Sequence, residues 1–181
     1  MSNLTILGDT SGSVVLQAPA VAGSTTITMP AATGTMMVSG NMPAFNAYAT
    51  QNSQSISNGS EATVIYQNEN FDTASCYNNA TGVFTPTVAG YYQISWSVIF
   101  YNIITSGEFY SYIMKNGSGS ATGLMGWDTV GGTYVYGYSA SNIVYANGTT
   151  DNFQIRVGQA SGSAKTISSG SYFSSCLMRG A

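Results

Sequence analysis

The run from Tyr92 to Phe100 constrains this chain most. Tyr92, Ile94, Trp96, Val98 and Phe100 fall on one side, and Gln93, Ser95 and Ser97 on the other. Period two over that length describes a half-buried antiparallel β-strand with its apolar side on a core. The words before it set up the strand. Gly82-Val83-Phe84-Thr85-Pro86 turns the chain, and Ala89-Gly90-Tyr91-Tyr92 launches the run. Further short runs read as strands at 44–48, 62–66, 109–115, 133–138, 143–145, 153–157 and 171–178. Tyr110, Tyr112 and Met114 share one face, and so do Tyr134, Tyr136 and Tyr138. Asn116-Gly117, directly after an alternating strand, marks a hairpin. Asn147-Gly148 reads as a second hairpin turn, joining 143–145 to 153–157. The segment 68–76 reads as a loop. No stretch has helical periodicity, so the fold class is all-β, a sandwich or barrel.

Only 6% of the 181 residues are charged, against 44% hydrophobic, so a core is available and the surface is built from Ser, Thr, Asn, Gln and Gly. The net charge is −3, and the basic residues are Lys115, Arg156, Lys165 and Arg179. Too few cations remain for a phosphate backbone or an anionic membrane surface, so nucleic acid and membrane partners are not expected. No apolar run approaches the roughly 20 residues of a membrane span. The start, Met1-Ser2-Asn3-Leu4, has no signal-peptide pattern, so synthesis in a cytoplasm is expected.

Catalytic parts are missing. The chain has no His, which removes Ser-His-Asp triads, Cys-His dyads and the usual zinc sites. There is no P-loop, and Gly117-Ser118-Gly119-Ser120 lacks the lysine of one. Asp9, Glu61, Glu69, Asp72, Glu108, Asp128 and Asp151 read as solvated loop charges rather than a paired catalytic set. The expectation is a non-enzyme with no catalytic residue and no cofactor. Cys76 and Cys176 read as two buried thiols, with a disulfide between them left open.

The chain divides near residue 40. Residues 11–19 and 23–30 are short β-like runs ending at Pro19 and Pro30, too short to bury surface alone. Residues 1–40 are therefore expected to be an anchoring arm, and 41–181 a knob. Val14, Leu16, Ile27, Met29, Met36 and Met37 are the arm side chains expected to be buried against a partner. Ser11-Gly12-Ser13-Val14-Val15-Leu16-Gln17-Ala18-Pro19 and the Thr/Pro/Ala-rich words after it, roughly 8–38, resemble segments of tail-fibre and virion-surface proteins of tailed bacteriophages.

The knob resembles the globular head of the first complement component and the tumour necrosis factor superfamily. The resemblance rests on Ala44-Phe45-Asn46-Ala47-Tyr48, on Tyr77 to Pro86, on Ala89-Gly90-Tyr91-Tyr92 and on the closing Ser171 to Met178, where Ser175 replaces the family's Gly. It runs in the family's order over about 43–178. It implies a jelly roll, a homotrimer, and a function of assembly and binding. It makes Tyr134, Tyr136, Tyr138, Phe45 and Tyr48 candidates for the trimer interface; a glycan-stacking face is the other reading of the tyrosine stripe. Asp128 and Asp151 would be loop ligands if calcium bound as in some relatives, but Asp151 also suits a turn cap, and no metal is assigned. Lys115 and Arg156 read as rim charges.

Together these lead to a structural protein on a virion surface. A knob reached within about forty residues of Met1 suits a trimeric capsid decoration or cement protein whose arm holds the major capsid protein. The alternative is a short tail fibre or receptor-binding tip, attached to a tail protein and recognising host-surface glycan.

Overall fold

The structure, a computed structural model, describes residues 3–29, 31, 33, 34, 36–103, 107–125 and 134–181, with 3, 102, 103, 119–125 and 134–136 described by backbone alone. Two compact units emerge, Met1–Gly34 and Thr35–Ala181. The first holds one antiparallel hairpin, β1 (Asn3–Leu7) and β2 (Ser13–Gln17). Of these strands only β2 is anticipated by the sequence; the expected run at 23–30 forms no strand over the described residues 23–29.

The second unit opens with a short 3-10 turn, Ser39–Asn41, and is otherwise β-structure. Its strands are β3 (Ala44–Tyr48), β4 (Gln54–Ile56), β5 (Ser60–Thr63), β6 (Asn68–Asp72), β7 (Tyr77–Asn78) and β8 (Val83–Phe84). They continue with β9 (Gly90–Ile103), β10 (Glu108–Lys115), β11 (Ser118–Met125), β12 (Tyr134–Ala146), β13 (Phe153–Ala160), β14 (Lys165–Ile167) and β15 (Tyr172–Gly180). Seven form one sheet in the order β4-β14-β9-β15-β3-β6, with β12 on the other side of β9. Six form the other, in the order β11-β10-β13-β8-β7, with β5 also on β13. All pairings are antiparallel.

The two sheets face each other across an aromatic core. Tyr92, Ile94, Trp96, Val98 and Phe100 of β9 are all fully buried, as the alternation dictates. Ile113, Phe153, Ile155 and Val157 meet them from the six-stranded sheet. Phe45 stacks on Tyr77 at 4.9 Å between centroids and meets Phe173 nearly perpendicular, also at 4.9 Å. Such contacts add to area burial. Phe45 is therefore a core residue within the chain itself, 1% exposed, which is not where the sequence reading puts it as a candidate interface residue. Tyr138 is corrected likewise: it is 8% exposed, and its hydroxyl donates to the Phe109 carbonyl at 2.8 Å across the sandwich.

Several local readings change. Residues 68–72 are a strand, β6, paired with β3, where a loop is expected. The strand expected at 62–66 is β5 at 60–63. Of the runs 133–138 and 143–145, read as separate strands, 134–138 and 143–145 belong to one strand, β12, and Thr133 lies outside the described residues. The turn at 147–152 joins no hairpin: β12 pairs with β9 and β13 with β10, so this turn carries the chain from one sheet to the other. The Asn116-Gly117 hairpin is present, with φ of 56° and 65° at its two turn residues, the left-handed pair such a tight turn needs.

Candidate interaction face

The outward face of the seven-stranded sheet follows from the same parity that builds the core. With Tyr92, Ile94 and Trp96 inward, Tyr91, Gln93, Ser95 and Ser97 face away from it. Register then lines up rows across the strands. Ser139 of β12, Ser97 of β9, Tyr172 of β15 and Tyr48 of β3 form one row. Ser141, Ser95, Ser174, Asn46 and Phe71 form the next, and Ile143, Gln93, Cys176 and Ala44 the one after. Tyr145, Tyr91 and Arg179 close the face at the end where β9 starts.

The middle rows are small and polar, so another backbone can approach closely. The end rows are apolar and open. Ile143 is 59% exposed, Met178 52%, Tyr145 44% and Tyr91 39%. Tyr91 and Tyr145 meet edge to face at 5.5 Å, and the Arg179 guanidinium lies 5.0 Å from the centre of the Tyr91 ring. Tyr91, Ile143, Met178 and Arg179 line a shallow depression of about 250 Å³. At the other edge of the sheet, Phe71 and Tyr48 are exposed. Arg179 is the only charged side chain in these rows.

The sequence candidates fall unevenly on this geometry. Tyr48 lies on the face. Tyr134 and Tyr136 pair with Ile103 and Phe100 through the backbone, and their side chains lie outside the described residues. Met37 packs against the knob's core, whereas Met36 is exposed. Val14, Leu16, Ile27 and Met29 are exposed in the first unit. Tyr91, Ile143, Tyr145, Met178 and Phe71 were not singled out by the sequence. Continuing the parity of Tyr138 along one unbroken strand would have put Ile143 and Tyr145 outward.

Cys176 is exposed and on this face, which corrects its reading as a buried thiol. Cys76 is buried; its thiol donates to Asp72 Oδ1 at 3.2 Å, and burial first, then that carboxylate, push it well above the ordinary thiol range. Both are free. Ser175 points into the core, and its buried hydroxyl has no hydrogen-bond partner among the described residues.

On the opposite sheet the rim charges are engaged. Lys115 Nζ lies 2.7 Å from Asp151 Oδ2 and donates to the Tyr145 carbonyl. Asp151 also accepts from Asn116 Nδ2 and the Asn147 amide; Asn116 and Lys115 hold its carboxyl below the usual range. This is the turn-capping role of the two open at the sequence level, and Asp128 lies outside the described residues. Glu61 accepts from the hydroxyls of Tyr110 at 2.7 Å and Tyr112 at 2.9 Å, with Arg156 at 3.7 Å. The Tyr110 bond is the main cause of its lowered pKa. Among the described residues no three His, Cys, Asp or Glu side chains gather as a metal site needs.

The fold of this chain has counterparts among solved structures. It matches the globular domain of zebrafish complement 1qA protein, with a TM-score of 0.57 at 13% identity over 77% of this chain and 99% of that one. Murine APRIL matches with a TM-score of 0.54 at 7% identity, over 76% and 99%. Eiger TNF from S. frugiperda matches with 0.51 at 12% identity, over 77% and 95%. The fold is a jelly roll of the complement-head and tumour-necrosis-factor kind. No family model and no curated protein matches the sequence.

Proposed function

We propose that this chain is a non-enzymatic, homotrimeric display module of a tailed-bacteriophage virion, a capsid decoration protein whose knob projects and whose arm attaches. One observation carries the trimer: a five-strand-wide outer face that is almost free of charge, small in its middle and apolar at two separate places. A face of that kind suits protein rather than water. Its two apolar places differ. Tyr91, Ile143, Tyr145 and Met178 stand at one side, with cationic Arg179; Phe71 and Tyr48 stand at the other, near anionic Glu69 in the chain. Unlike patches join head to tail, and a head-to-tail contact closes into a ring when the rotation allows. The likeness to complement-head and tumour-necrosis-factor folds supports three as the number.

The virion assignment is supported by the wording of residues 8–38 and by a virtually uncharged Ser/Thr/Asn/Gly surface. Light scattering on the purified chain should give three times the 18.9 kDa chain mass. Ile143→Asp, which buries a charge in the contact, should give single chains. A wild-type chain that stays single at micromolar concentration overturns the trimer. An antibody to the knob should label phage heads. Labelled tails would move the protein to a receptor-binding tip, and unlabelled virions would overturn the virion role.

A further inference from the structure

The hairpin of the first unit has one face made entirely of aliphatic side chains. Register sets Leu4 opposite Leu16 and Ile6 opposite Val14. By strand parity these lie together, with Thr5, Leu7, Ser13 and Val15 on the reverse. The face is open: Leu4 is 60% exposed, Ile6 53%, Val14 61% and Leu16 44%. The loop that closes the hairpin is specified locally, with the Gly8 amide donating to the Gly12 carbonyl at 3.0 Å and Gly12 at φ +79°. A lone two-stranded hairpin is marginal in water, and one that bares such a face needs a cover.

Charge narrows the choice of cover. Neither strand carries a charged residue, and none occurs between Asp9 and Glu61. Nothing here complements a charged surface, and nothing repels a second copy of itself. The face is four side chains, Leu4, Ile6, Val14 and Leu16, and three such faces turned inward would close on one another as an aliphatic plug. The trimeric knob, on whose reading this rests, would supply the other two copies at an effective concentration in the millimolar range.

We propose that the hairpins of three subunits pack their Leu4, Ile6, Val14 and Leu16 faces on one another, making a small second trimerisation element ahead of the knob. Val14 and Leu16 then lie inside this plug, and attachment to the virion falls to the rest of the arm, Ile27 and Met29 included.

The test uses the full-length chain with Cys176→Ser, so that the exposed native thiol is gone. A single new thiol is placed on the aliphatic face by Ile6→Cys or on its reverse by Thr5→Cys. Under mild oxidation Ile6→Cys should give chain dimers on a non-reducing gel, at least about fivefold more than Thr5→Cys. Equal or absent cross-linking in protein of trimer mass overturns the plug alone. Protein of single-chain mass overturns the plug and the trimer together. As a second measurement, Ile6→Ser with Leu16→Ser should leave the mass trimeric yet speed elastase cleavage within residues 1–34 about tenfold. Unchanged cleavage of that double variant also overturns the proposal.

Discussion

The Trp96 indole nitrogen donates to the Ser111 hydroxyl at 3.0 Å in the centre of the core, tying β9 of one sheet to β10 of the other. Both residues are fully buried. The bond explains a serine where the neighbouring Phe109 and Ile113 are apolar: a Trp placed mid-sandwich brings a donor that must be met. Ser111→Ala leaves that donor unmet and should cost about 1–3 kcal/mol. Urea unfolding at matched protein concentration checks it, because an oligomer's midpoint moves with concentration. An unchanged midpoint would mean the indole finds another partner.

The acid limb of stability is set by carboxylates. For Asp72, burial opposes ionisation, but the Tyr77 and Ala74 amides and the Cys76 thiol outweigh it and its pKa is lowered. Asp151 and Glu61 are lowered as well. A carboxyl with a depressed folded-state pKa stabilises above its unfolded value, about 4, and that contribution is lost as pH falls through the folded value. Stability should be flat from pH 8 to 5 and fall below about 4. With no His in the chain, no imidazole titrates in between. Asp151→Asn should lower the plateau and make the acid fall shallower. A midpoint that changed steeply between pH 8 and 6 would contradict this assignment.

The two thiols should separate core from contact face. Cys76 is shut inside one subunit, and Cys176 is exposed on the face proposed to be covered by a neighbour. A native trimer should therefore react with maleimide at neither position, and the unfolded chain at both. Reductant should leave the melting temperature unchanged, since no bond links them. One reactive thiol per native chain would show the face open to solvent and remove the trimer from it.

What the sequence makes legible follows period two. Tyr92 to Phe100 announces its core side because every second residue is large and apolar, and one such strand fixes the sandwich. The same rule misleads where it is cut short. Tyr134, Tyr136 and Tyr138 look like an outward stripe in isolation, but Tyr138 turns inward beside Val98 of the neighbouring β9 and donates to the Phe109 carbonyl across the core, and the true outward residues, Ile143 and Tyr145, lie further along the same strand. β6 was hidden for another reason. Asn68-Glu69-Asn70-Phe71-Asp72 has little strand preference and forms as an edge only because β3 offers its ladder. Whether the turn after β12 continues a sheet or crosses to the other is a tertiary choice, and Asn147-Gly148 carries no mark of it.

The Gly82 and Gly90 positions that open and close the lead-in to β9 are required for different reasons, which gives a paired prediction. Gly82 has φ +72°, and a Cβ there would also overlap the Val64 carbonyl oxygen, so Gly82→Ala meets both backbone strain and a clash. Gly90 has no left-handed φ. Its constraint is space: a Cβ would overlap the Arg179 carbonyl oxygen and lie 2.7 Å from Leu177 Cδ1. The leucine could rotate, but the carbonyl cannot move freely, because the end of β15 is paired with the start of β9 at Arg179–Tyr91 and Gly180–Gly90, and the Ala181 amide donates to the Ala89 carbonyl. Gly90→Ala should therefore cost about 1–3 kcal/mol as overpacking. It should also displace Arg179 from the Tyr91 ring at the apolar end of the face, weakening assembly as well as folding. Gly82→Ala lies on the far side of the lead-in and should lower the urea midpoint at least as much while leaving the trimer's dissociation concentration unchanged. Equal effects of both variants on dissociation would show that the end of β9 does not shape the contact.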